Sequence, residues 1–300
     1  MVDISKITTE GRNDLTKNID LLSTSEMIRL INSEDKKVAY AVEEALGQIE
    51  LVVDEVTKVF EKGGRLVYIG AGTSGRLGVL DASECPPTFG VPDDMVVGII
   101  AGGDTALRTA AENVEDSEEE AVKDLKNINF NENDIVIGLA ASGRTPYVIG
   151  ALKYGNSIGA VTSCITTSAN SPIAKLAKYP IEAITGPETL TGSTRMKSGT
   201  AQKMIANMIT TSSMIKIGKV YENLMVDVRM SNEKLISRGQ RIIMDVTGVD
   251  KEEAKKYLDK FKAVKIAIFA IISGIDEEAK IKELLSKSNG NIRKALKSVK

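Results

Sequence analysis

Two stretches of this chain set serine, glycine and arginine directly after short apolar runs. Leu66 to Ile69 leads into Gly70, Ala71, Gly72, Thr73, Ser74, Gly75 and Arg76; Ile135 to Leu139 leads into Ala140, Ala141, Ser142, Gly143, Arg144, Thr145 and Pro146. A buried strand that ends in small residues and opens a helix is how a chain builds an anion pocket. Glycine lets the backbone approach closely and reach positive φ. The helix start adds unpaired N–H groups and the positive end of its dipole. Thr73, Ser74, Ser142 and Thr145 contribute hydroxyls and Gly143 a bare backbone, with Pro146 at a plausible first helical position. The two loops lie about 70 residues apart, and together they point to one phosphorylated ligand held from two sides.

The first loop also fits the Gly-x-Gly-x-x-Gly pattern of dinucleotide binding. That pattern needs an acidic residue closing the second strand, roughly 20 residues on. Here Asp93 and Asp94 precede that strand, and its end reads Ile100, Ala101, Gly102, Gly103, Asp104. The spacing is wrong for NAD, and the hydroxyls suit a phosphate monoester better than a pyrophosphate. A tight turn without a ligand is the plainer reading of one loop; the second loop weighs against it. For Arg76 and Arg144, ligand contact and surface ion pairing stand level.

A third cluster runs from Thr191 to Lys203 and includes Ser193, Arg195 and Lys197. Capping explains at least one of its hydroxyls. Three cations at a helix start oppose the dipole, and a nearby anion would offset that, so Lys197 is a candidate ligand contact, with a solvated cation as the alternative. Ala82, Ser83, Glu84, Cys85, Pro86 and Pro87 place a carboxylate before a proline pair expected to end the helix. That expectation keeps Glu84 off a long solvated helix face, while capping, a surface loop and function stay equally open. The acidic run from Glu112 to Glu120 reads as a solvated helix face. Glu112 and Glu115 share one side of it, and nothing local selects either.

Absences narrow the chemistry. The chain has no histidine, so the commonest general base and metal ligand are both missing. With only Cys85 and Cys164, a disulfide framework or cysteine-rich zinc site is excluded. No tryptophan and few aromatics disfavour a stacking platform. Any proton transfer falls to Glu, Asp, Lys, Tyr or Cys. The net charge of −2 comes from well-mixed charges, which argues against nucleic acid or a membrane surface as partner. Ile266 to Ile272 is too short an apolar stretch to span a bilayer. Met1 to Glu10 shows no secretory core, so the expected location is the cytoplasm.

The elements that would carry these residues follow from periodicity. One helix is expected from Thr24 to Asn32 and a longer one from Asp35 to Glu61, stopped by Gly63 and Gly64. Short β-branched runs at 66–69, 95–100, 135–139, 158–162 and 180–184 alternate with helical patterns at 77–83, 105–125, 146–154 and 172–178. Apolar strands between helices predict an α/β fold with a parallel sheet covered on both faces. A long helix spans 195–218. Beyond Val220 only charged helices are expected, near 227–246, 251–261, 263–273, 276–286 and 292–299. The division drawn is 1–62 for N-terminal helices on the core, 63–220 for the sugar-phosphate-binding domain and 221–300 for a helical region. In a parallel sheet the C-terminal strand ends gather at one edge, so both Ser-Gly loops can open into one crevice.

Taken together, Gly70 to Gly78, Asp81 to Thr88, Ile100 to Gly103, Glu115 to Ser117, Ala140 to Tyr147, Thr191 to Lys197 and Asn223 to Asp227 resemble the sugar isomerase (SIS) domain, and more narrowly the N-acetylmuramic acid 6-phosphate etherases. The similarity runs from Thr8 to Gly290. It departs before Ser171, where Ala169-Asn170 stands in place of the family's frequent Cys-Asn. The resemblance implies a three-layer SIS-type fold with a mostly parallel five-stranded sheet and a small C-terminal helical domain. It implies a cofactor-free, metal-free cytoplasmic homodimer, a carbon–oxygen lyase that removes lactate from the 3-position ether of N-acetylmuramic acid 6-phosphate. N-acetylglucosamine 6-phosphate and D-lactate would be the products, a step in recycling cell-wall amino sugar. The family pattern puts the proton donor at Glu84 and a second carboxylate, assigned as the base at C2, at Glu115. Thr73, Ser74, Ser142, Gly143 and Thr145 would hold phosphate and sugar, and Ser193 and Lys197 are expected to join them in binding the substrate. Two rivals remain: an aldose–ketose isomerase of the same fold, and a non-catalytic sugar-phosphate sensor, since the etherases also resemble the glucokinase regulatory protein.

Overall fold

The computed structural model describes residues 8–109, 114–228, 230 and 232–299; Glu112 and the start of the chain through residue 7 lie outside them. The described chain divides into two compact units. One contains the residues up to Ser83 together with Asp94–Thr210, the other Glu84–Asp93 together with the residues from Thr211 onward. The division falls ten residues before the end of the 63–220 segment, inside a helix, and Glu84–Asp93 goes with the second unit.

The first unit opens with α1 (Thr24–Glu43) and α2 (Leu46–Glu61). Ser23 caps α1 through a capping box with Glu26. The expected break after Asn32 is absent. Nothing there breaks a helix, and Glu34 is held inside by polar partners. The break comes at Ala45, where the amide bonds tightly back to Val42. The sheet comprises β1 (Leu66–Gly70), β2 (Val96–Ile100), β3 (Ile135–Leu139), β4 (Val161–Thr166) and β5 (Tyr179–Glu182). All pairs are parallel and the order is β2-β1-β3-β4-β5. β1 and β3 are buried at every position, as expected of strands covered on both faces. The strand expected at 158–162 starts later, because Gly159 at φ +80° turns the chain first.

Between the strands run α3 (Gly72–Phe89), α4 (Glu118–Asn127), α5 (Pro146–Ser157) and α6 (Pro172–Leu176), followed after β5 by α7 (Lys197–Lys216). Val67, Ile69, Val136 and Cys164 face one layer with Tyr147, Val148, Ala151 and Leu152 of α5. Tyr68 faces the other: it packs on Gly78 of α3 and donates to the Ala206 carbonyl of α7 at 3.3 Å. Helix, sheet and helix make three layers. The helix expected at 105–125 is instead a 3₁₀ turn at Asp104–Leu107, a second at Val114–Asp116, and α4 started by Ser117 as its cap. The prolines do not end α3. They supply a helical φ at the cost of two backbone bonds, and the helix runs to Phe89, closed by Gly90 N–H to Pro86 O.

In the second unit the chain first forms a hairpin, β6 (Val220–Tyr221) and β7 (Leu224–Met225), where only helix was expected. Helices α8 (Glu233–Thr247), α9 (Lys251–Phe261), α10 (Val264–Ser273), α11 (Glu278–Lys287) and α12 (Ile292–Lys297) follow. α8 starts six residues later than 227, where Asn232 caps it. The apolar stretch at 266–272 lies in α10, which is largely buried and forms the centre of this unit's core. Among the described residues no helix is long and apolar enough to cross a membrane.

Candidate active site

The strand order 2-1-3-4-5 has its topological switch between β1 and β3. In such sheets ligands bind beyond the C-terminal strand ends at that point. Gly70 pairs with Leu139, the last residues of these two neighbours, so the two Ser-Gly loops emerge side by side. The first turns within a tight space: a Cβ on Gly75 would fall 2.6 Å from the Gly70 carbonyl. In the second, Gly143 has φ +66°, and a Cβ there would meet Ser171 at 2.3 Å. Only glycine fits.

Five helices begin at this edge, α4 among them with the Ser117 hydroxyl accepting from Glu120, and they differ in what satisfies their first amides. α6 is capped by the Ser171 hydroxyl, which accepts from Ala174. α7 carries its own anion: the Glu188 carboxylate, fully buried, accepts from the amides of Lys197 and Ser198 at 2.9 Å each. α3 follows Ala71, which has no side-chain oxygen, and α5 follows Thr145, whose hydroxyl makes no cap. The amides at the starts of α3 and α5 therefore have no acceptor within their helices. These two are the helices that follow β1 and β3. Two open helix starts meet at the switch point, an arrangement whose free amides suit an anion.

Thr73, Ser142 and Thr145 are half-buried, and their hydroxyls have no hydrogen-bond partner among the described residues. Ser74 is buried and donates to the Gln202 side chain at 2.8 Å. Ser193 is half-buried in the turn before α7. The first turn of α7 comes close to the first loop, because a Cβ on Gly199 would sit 3.5 Å from the Thr73 methyl. Ser198 shares a 2.9 Å hydrogen bond with Thr167, whose hydroxyl lies 3.1 Å from the Ala141 carbonyl, one residue before Ser142. The start of α7 thus meets the first loop directly and the second through Thr167.

Lys197 corrects the expectation that it faces a ligand. Its ammonium is 1% exposed and pairs at 2.8 Å with Glu34 of α1, itself 1% exposed. Burial would raise the Glu34 carboxyl, but hydrogen bonds from Lys197, Lys37 and Asn13 outweigh it and hold it at about 2. The anion that offsets the cationic start of α7 is therefore the chain's own. Arg76 is resolved as well: its guanidinium donates to the carbonyls of Ala106 and Leu107 and pins the loop after β2. Arg144 is exposed.

The candidates for proton transfer also separate. Burial pushes the Cys164 thiol up to about 12. Burial and the Asp124 carboxylate raise the Tyr147 phenol. Burial raises Asp81 against hydrogen bonds from Asn207 and Thr210. Glu115 is exposed in its 3₁₀ turn, which packs on α5. Its neighbours Val114 and Ser117 line a cleft of about 360 Å³ with Gly102 and Gly103, the loop directly after β2. Glu84 is exposed on α3, contrary to the reading that kept it off a helix face. Among the described residues Cys, Asp and Glu nowhere gather into a group that could hold a metal ion.

Fold and edge together define a SIS-type protein, followed in the chain by a helical unit. The SIS domain model matches residues 103–212, the glucokinase regulatory protein N-terminal SIS domain model 48–156, and the model of that protein's C-terminal lid domain 222–285. A phosphoheptose isomerase from Francisella tularensis shares the fold at TM-score 0.50 and 16% identity, over 64% of this chain and 98% of its own. The phosphoheptose isomerase of Neisseria gonorrhoeae does so at 0.51 and 15%, over 64% and 98%.

The relatives by sequence are far closer. N-acetylmuramic acid 6-phosphate etherase of Clostridium beijerinckii is 56% identical over 99% of this chain and 98% of its own length. Those of Clostridium botulinum strain Hall and Vibrio atlanticus are each 54% identical, over 99% and 98% of this chain and 99% and 96% of their own. The chain belongs to the N-acetylmuramic acid 6-phosphate etherase family.

Proposed function

We propose that this chain is a carbon–oxygen lyase that cleaves the lactyl ether of N-acetylmuramic acid 6-phosphate, giving N-acetylglucosamine 6-phosphate and D-lactate in amino-sugar recycling. The observation that carries the reading is identity of 54–56% to named etherases over almost the whole chain. The two open helix starts after β1 and β3 supply a place for the phosphate that this substrate requires.

An unactivated ether resists hydrolysis, but in the open-chain aldehyde the proton at C2 is acidified. A carboxylate removes it, an acid protonates the departing lactate oxygen, and water then adds at C3. Glu115 is the proposed base and Glu84 the proposed proton donor. Both are exposed carboxyl groups, whereas Cys164 and Tyr147 are buried with raised pKa values. The amides of α3 and α5, with Thr73, Ser142, Gly143 and Thr145, are proposed to hold the phosphate, and Ser74 and Ser193 the sugar. Lys197 is left out because Glu34 already holds its charge. The reaction is placed in the cytoplasm, and the active form is proposed to be a homodimer; Leu15, Leu21, Ile28 and Tyr40, each more than 60% exposed, offer apolar surface for it.

The test is lactate release from N-acetylmuramic acid 6-phosphate in ¹⁸O-labelled water. Label at C3 of the sugar and none in lactate is the expected result. Ketose formation without lactate would establish the isomerase instead. Binding without turnover in the intact protein would establish the sensor.

A further inference from the structure

Gln202 lies on α7, fully buried, between the first Ser-Gly loop and β4. Its carboxamide has two partners. The Ser74 hydroxyl donates to Oε1 at 2.8 Å, and Nε2 donates to the Ile165 carbonyl at 3.4 Å. A backbone carbonyl can only accept, so the NH₂ end must face Ile165 and the oxygen must face Ser74. A flipped amide would set oxygen against oxygen in a buried place. Ser74 has one hydrogen to give, and this geometry assigns it to Gln202. What the hydroxyl has left is lone pairs.

This decides what Ser74 can bind. A phosphate dianion has no hydrogen to donate and needs donors around it. Ser74 could serve it only by giving up a buried hydrogen bond and leaving the Gln202 oxygen unpaired, which is costly. A sugar hydroxyl or an acetamido N–H is a donor and matches the lone pairs without disturbing Gln202. The neighbouring hydroxyls differ: Thr73, Ser142 and Thr145 have no partner among the described residues and keep their hydrogens for an anion.

We propose that Gln202 is a positioning residue that fixes Ser74 as a hydrogen-bond acceptor for a donor group on the sugar, leaving the phosphate to the other hydroxyls and the open amides. The inference rests on the reading of this edge as the sugar-phosphate site.

The test is a double-mutant cycle of Ser74→Ala and Gln202→Met, reading the affinity of the full-length protein for N-acetylglucosamine 6-phosphate and for inorganic phosphate. Each single variant should weaken the sugar phosphate about tenfold, one good hydrogen bond, and inorganic phosphate by less than about twofold. The double variant should be no worse than the weaker single, because Gln202 acts through Ser74. In turnover the loss should fall on KM more than on kcat. An equal loss of inorganic phosphate in Ser74→Ala, or single effects that multiply in the double variant, would overturn the proposal. The first of these readouts stands even if Gln202→Met does not fold. Wild-type protein that binds neither ligand would instead sink the site itself.

Discussion

At one edge of a single sheet, three helices begin with their amides satisfied from within and two do not. α4 has Ser117, α6 has Ser171 and α7 has Glu188 as internal acceptors; α3 and α5 start behind an alanine and an uncapping threonine. The difference shows that a helix dipole by itself does not mark a ligand site. On the proposed reading an anion binds where the chain withholds its own acceptor. The two withheld positions follow β1 and β3, the pair flanking the topological switch.

The comparison predicts that damage to the closed starts appears as lost stability and damage to the open starts as lost binding. The largest effect belongs to Glu34→Gln, which leaves the Lys197 ammonium buried without its counter-charge. A loss of about 3–5 kcal/mol is expected in denaturant unfolding. The pH dependence sharpens it. The folded Glu34 carboxyl is depressed to about 2 from an ordinary value near 4.5, so its contribution is fully present above pH 4.5 and disappears as pH falls toward 2. It amounts to about 3 kcal/mol. The Gln variant should lack that acid-sensitive component, and an unchanged acid profile would break the account of this pair.

Next in size is Ser142→Ala at the open side. Losing a hydrogen bond to a charged group costs about 1.5–3 kcal/mol, so KM for the sugar phosphate should rise roughly tenfold to a hundredfold. Melting temperature should hardly move. Smallest is Ser171→Ala at a closed start: about 1 kcal/mol of stability from the lost cap, with KM within about twofold. A reversal, with Ser171→Ala damaging KM and Ser142→Ala damaging stability, would erase the distinction between the two kinds of helix start.

Much of this was legible in the residues, and what was not has a common physical cause. β3 and α9 occupy the spans that periodicity predicts, because a five-residue apolar run and an eleven-residue amphipathic one each carry their own pattern. The two loops were legible for the same reason. The hairpin at Val220–Met225 has two residues per strand, too few for any alternation to show. Lys197 is the more instructive case. The cations at the start of α7 do demand an anion, and that demand is readable from sequence. Its answer is not, because Glu34 stands 163 residues away and Glu188 sits in an unpatterned turn. Gln202 went unnoticed likewise: a glutamine inside a helix gives no local sign that it is wholly buried and bonded to two other segments.

The most direct test is titration of the protein with inorganic phosphate while its backbone amide resonances are followed. The account predicts that the amides of Gly72, Thr73, Ser74, Tyr147 and Val148 shift most, while those of Lys197 and Ser198, already bonded to Glu188, stay nearly fixed. Shifts concentrated at Lys197 and Ser198, with the starts of α3 and α5 unmoved, would contradict it.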